Sequence, residues 1–142
     1  MSTTTTKDGM EGLTTIASRF GPKETMDRLE AEIRGKGMTV FARIDHAAGA
    51  AEAGLELRPT ELIIFGNARG GTPLMEASQT AGIDLPLKAL VWQDAAGKTW
   101  LSYNEPSWTV QRHGLGVRAE IVDKMAAALN AISTKAADPP KA

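Results

Sequence analysis

The chain has 142 residues, 16 Lys or Arg against 17 Asp or Glu, a formal net charge of −1 and no cysteine. That length suits a single domain with a proper core. The near-neutral charge and scattered basic residues argue against nucleic-acid or anionic-membrane binding, so neither partner is expected. Without cysteine there is no disulfide, thiolate metal site or cysteine nucleophile.

Residues 1–12 are rich in threonine and glycine with little to bury, and read as a disordered tail. They hold no apolar h-region, and no apolar run approaches membrane-spanning length, so a cytoplasmic address is the expectation. Residues 13–20 alternate as a strand. Gly21-Pro22 opens a helix whose Met26, Leu29 and Ile33 share one face, with charged residues opposite and glycines at 35 and 37 to end it. Residues 38–44 form a second strand, and Asp45 is placed to cap a short alanine-rich helix over 47–53.

Leu62-Ile63-Ile64-Phe65 is a continuous apolar run suited to a buried strand. Residues 66–71 are then glycine-rich turn chemistry, with Asn67 and the glycines tolerant of positive φ. Thr72-Pro73 reads as an N-cap followed by proline at the first helical position, opening a helix that stops at Gly82. A glycine-rich entry to a helix suits an anion, because free N–H groups point outward with the helix dipole behind them. The segment lacks both the GKS/GKT ending of a P-loop and GxGxxG spacing, and Pro73 removes a donor. A tight strand-to-helix connection explains the glycines equally well.

Pro86 precedes a strongly apolar strand over 87–93. Residues 94–97 make a hairpin turn with glycine late in the loop, and 98–103 is the returning strand. A short helix or turn over 107–113 and a long helix over 116–134 follow, the latter with Val117, Ile121, Met125, Leu129 and Ile132 on one face. Residues 135–142 read as a second disordered tail. The expected fold is α+β: one two-layer domain over 13–134, with a five-stranded, mainly antiparallel sheet, two long helices on one face and short helices in connections. Apolar residues on the uncovered face, such as Phe41, Trp92 or Trp100, suggest a homodimer.

Residues 40–50, 57–75, 84–94 and 97–106 form an ordered set that resembles the domain of unknown function 302 (DUF302) family. The resemblance spans residues 13–133. It implies a TATA-box-binding-protein-like β-α-β4-α arrangement and homodimers, and carries no activity with it. The family usually places proline after Asn67, where this chain has Ala68.

Candidate chemistry is sparse. Asn67, Arg69 and Thr72 flank the glycine-rich segment and can orient or charge-pair a ligand, or simply serve as turn, solvated loop and cap residues. His46 and His113 can act as general bases, or sit as capping or helix-end side chains. Asp84, Lys88 and Tyr103 gather near strand ends, with Lys88 and Tyr103 expected close across the hairpin. No HxH, HExxH or GxSxG occurs, so no metal site, cofactor or serine nucleophile is expected. Three functions follow from these residues: a homodimer holding a small anionic ligand near 66–73, a small enzyme drawing on His46, His113, Asp84 or Lys88, or a dimer serving only protein contacts. The enzyme needs at least two of its four residues in one place.

Overall fold

The computed structural model describes residues 10–116 and 119–140. Five strands form one sheet in the order β1-β5-β4-β3-β2, with every neighbouring pair antiparallel. They are β1 Leu13–Ala17, β2 Thr39–Asp45, β3 Thr60–Gly66, β4 Leu87–Gln93 and β5 Thr99–Asn104. Two long helices, α1 Pro22–Gly35 and α5 Ala119–Ala137, cover one face. Shorter helices α2 His46–Glu52, α3 Ala68–Ala77 and α4 Pro106–His113, with a 3₁₀ turn Gln79–Ile83, fill the connections. This is the expected α+β architecture.

Alternation within the strands decides which residues meet the helices. Ile16, Ile63, Phe65, Ala89, Val91, Leu101 and Tyr103 face Met26, Leu29 and Ile33 of α1 and Leu129 and Ile132 of α5. The three α1 side chains are fully buried, each contributing about 1.5–3 kcal/mol. A second, smaller cluster joins Leu74, Ala81, Leu115 and Val122, tying α3, the 3₁₀ turn and the end of α4 to the start of α5.

Several boundaries differ from expectation. Strand β1 ends at Ala17, because the Arg19 N–H turns away to the Ala137 carbonyl at 2.9 Å. Helix α5 runs to Ala137, three residues beyond the anticipated Thr134. Arginines meet its end: Arg28 Nε donates to Ala136 O at 3.1 Å, and Arg19 Nε pairs with the buried Asp138 carboxylate, just past the helix, at 2.8 Å. Gly12, assigned to the leading tail, instead holds φ +78° beneath Trp108, and its carbonyl accepts the Glu105 N–H at 2.8 Å. Val117 lies outside the described residues.

The largest correction concerns 66–73. Helix α3 begins at Ala68, with Asn67 and not Thr72 as its N-cap. Asn67 Oδ1 accepts the Arg69 N–H at 2.9 Å, and the Asn67 carbonyl accepts from Gly70 and Gly71 at 3.0 Å each. The two glycines are therefore helical, neither with positive φ, and Pro73 lies inside the helix. A proline there removes one donor, leaving the Arg69 carbonyl without its usual N–H partner.

Candidate functional site

Where the two apolar clusters meet, an open cleft of about 700 Å³ separates α3 from α5. Its floor is apolar: Met38 and Leu87 from the main cluster, Met75, Leu85, Ile121 and Met125 from the second, with Phe41, Pro86 and Ala128 beside them. Ile121, Lys124, Met125 and Ala128 recur at i, i+3, i+4 and i+7, so one stripe of α5 forms a wall. That stripe extends about 10 Å along the helix. Gly70 lets α3 come close, since a Cβ there would lie 3.3 Å from Met125 Cε.

Asn67, Arg69 and Thr72 all line this cleft, joined by Lys36 and Lys124. Among the described residues, most cations are engaged. Arg19, Lys23, Arg34, Arg43 and Arg112 meet carboxylates, Arg28, Arg58 and Lys88 meet carbonyls, and Lys98 sits 4.5 Å from the Trp100 ring. Lys36, Arg69, Lys124 and Lys135 make no such contact, and the first three rim the one cleft. Among the described residues, no carboxylate lines it. The α3 N-terminus contributes little to that positive character, because Asn67 already satisfies the N–H groups of residues 69, 70 and 71.

Asp84 and His113 come together elsewhere. His113 ends α4, where Gly114 in the left-handed region (φ 68°) stops the helix, and Asp84 caps the 3₁₀ turn. The His113 Nε2···Asp84 Oδ2 separation is 2.5 Å, with side chains only 6% and 12% exposed. Arg112 Nη1 donates to both Asp84 oxygens at 3.1 and 3.2 Å, and Thr80 Oγ1 lies 2.9 Å from His113 Nδ1. Sequence reading missed Thr80 and Arg112.

The remaining candidates are dispersed. Lys88 and Tyr103 lie on opposite faces of the sheet, because Tyr103 pairs with the core-facing Ala89 rather than with Lys88. Lys88 Nζ donates to Pro86 O at 3.2 Å and borders, with Asp84, a void of about 20 Å³. Tyr103 belongs to the core, where burial and then the Glu105 charge push its phenol up, opposed by the Thr14 hydroxyl. His46 opens α2, exposed, and lines neither space.

The family model for the domain of unknown function DUF302 matches residues 14–132. The chain belongs to the DUF302 family. Its fold resembles the crystal structure of an uncharacterized conserved DUF302 protein from Bacillus stearothermophilus, with TM-score 0.80 and 22% identity over 89% of this chain and 99% of that one. It is also 52% identical over 113 residues to proteins named fluoride-specific ion channel FluC 1 from Brucella suis biovar 1 (strain 1330) and Brucella abortus biovar 1 (strain 9-941). That match covers 80% of this chain but only 44% and 42% of those proteins, so the DUF302 chain spans less than half their length. Among the described residues, no helix is long and apolar enough to cross a membrane.

Proposed function

We propose that this DUF302 chain is a binding module for small amphipathic anions, held in the cleft between α3 and α5. The observation that carries the reading is the convergence there of Lys36, Arg69 and Lys124, cations without an ion-pair partner among the described residues, beside an apolar lining. An inorganic ion alone would leave that floor wet, whereas a ligand with an apolar body and one acidic group matches both parts. A volume of about 700 Å³ falls in the usual range for small-molecule sites.

Titration with the amphipathic anion 8-anilinonaphthalene-1-sulfonate, followed by fluorescence and by displacement with octanoate, tests this directly. Saturable binding that octanoate competes away is expected. Arg69→Ala and Lys124→Ala should each weaken it about tenfold, the scale of one charge-assisted contact. Neither probe binding, or binding that ignores both substitutions, would refute the reading.

The reading also places a second copy of the chain on the sheet face away from α1 and α5. Ala42, Ile44, Leu62, Ile64, Leu90 and Trp92 share that face in register, and Ile44 is 40% exposed. Beside a channel such as the curated relatives are named for, this chain would act as an accompanying module rather than the membrane passage. Fluoride therefore joins the titration as a competitor: displacement of the sulfonate by fluoride at millimolar concentration would tie the cleft to that ion itself.

A further inference from the structure

Away from the cleft, four polar side chains form a chain of contacts at the junction of the 3₁₀ turn and α4. Ser78 Oγ lies 3.3 Å from Thr80 Oγ1, Thr80 Oγ1 lies 2.9 Å from His113 Nδ1, and His113 Nε2 lies 2.5 Å from Asp84 Oδ2. In the neutral imidazole, an ionised Asp84, which only accepts, places the single ring proton on Nε2. Nδ1 then presents its lone pair to Thr80, whose hydroxyl donates to it. Arg112 holds Asp84 from the other side.

The exposure of these groups is graded. The His113 and Asp84 side chains are almost covered, at 6% and 12%, while Thr80 is exposed. A clip joining two segments needs only the His113–Asp84 bond. Here both ring nitrogens are used, and the second is aimed at a hydroxyl open to solvent. A hydroxyl in contact with a base, with that base oriented by a buried carboxylate, is the arrangement that activates an oxygen nucleophile.

We propose that Thr80 is a nucleophilic hydroxyl that accepts acyl groups from small activated esters, with His113 as its general base and Asp84 as the positioning residue. Thr80 Oγ1 attacks the ester carbonyl carbon while its proton passes to His113 Nδ1. The bond from that carbon to the leaving oxygen breaks, and the leaving group collects the proton from Nδ1. An acyl-Thr80 ester and a free alcohol or phenol result. Water then enters by the same route, losing a proton to Nδ1, and releases the acid with Thr80 restored. No oxidant, reductant or metal is required.

The test is incubation of the intact protein with p-nitrophenyl acetate, following nitrophenolate release and locating the acetyl group by peptide mass spectrometry. Nitrophenolate release with acetylation at Thr80 is expected. Thr80→Val should abolish the adduct, and Thr80→Ser should keep it. Asp84→Asn should slow it by about a hundredfold or more, since an amide donating to Nε2 moves the proton onto Nδ1 and turns the base into a donor. These readouts separate nucleophilic chemistry from a structural clip, which would alter melting temperature without any Thr80 adduct. Acetylation confined to lysines or to Ser78, or a Thr80→Val variant as reactive as wild type, would overturn the proposal.

Discussion

Arg43 shows how one side chain can join three elements. Its guanidinium reaches Glu61 on β3 at 2.9 Å and both Asp27 and Glu30 on α1 at 3.0 and 3.1 Å. The Glu61 contact, foremost, raises the Arg43 pKa above its ordinary value. Lys23 and then Arg43 hold the Asp27 carboxyl low, and Arg34 and then Arg43 do so for Glu30. Depressed carboxylate values mean stability that is present at neutral pH and lost as acid is added through the lowered folded-state values. Arg43→Gln should cost about 1 kcal/mol at pH 7, the upper end for partly exposed pairs, and flatten the acid limb of a urea-stability profile between pH 5 and 3. An equally steep acid limb in the variant would show that these pairs do not govern it. None of this was legible in the sequence, where Arg43 is simply one residue of the second strand. A bulge between Val40 and Ala42 sets the register that turns Arg43 toward α1, and bulges leave no mark on a period of two.

Helix α3 marks the limit of local sequence rules. Thr72-Pro73 carries a strong start signal, and glycines before it read as a turn, yet Asn67 starts the helix a full turn earlier. The tertiary setting decides: Gly70 sits against Met125 and Gly71 near Leu85 and Met75, so packing on α5 and the 85–87 segment outweighs weak propensity. The long, strongly periodic α1 and the apolar strands β3 and β4 were readable because burial and local pattern agree there. The cleft was half readable: 66–73 drew attention to Asn67, Arg69 and Thr72, but Lys36, at the end of α1, and Lys124, on α5, come from distant parts of the chain. The stripe of Ile121, Lys124, Met125 and Ala128 was the one signal available for Lys124. At this scale a substitution discriminates between a turn and a helix. Gly71→Ala should stabilise the fold by about 0.5–1 kcal/mol, because the new Cβ finds its nearest atoms at 3.8 Å, ordinary contact. A loss of stability in thermal melts would instead place residue 71 outside helical geometry.

For the whole molecule, the asymmetry of the sheet matters most. One face is sealed by α1 and α5, whereas the other presents apolar side chains across β2, β3 and β4, half-buried at Leu62, Ile64, Leu90 and Trp92. Lys88 shares that far face by its register with Ile64 and brings a charge to it. The formal net charge of −1 gives identical copies little reason to repel. The proposed twofold pairing would stack two such faces about 10 Å apart and would need about 800 Å² from each partner to reach a standard interface. Sedimentation equilibrium at micromolar concentration should give twice the chain mass of 15.1 kDa. Ile44→Glu together with Leu90→Glu should return it to the monomer mass with the circular dichroism of the helices intact, because both positions lie on the far face and the main core is untouched. A wild-type chain that sediments as a monomer would remove the second copy from this face and leave the cleft between α3 and α5 to act within a single chain.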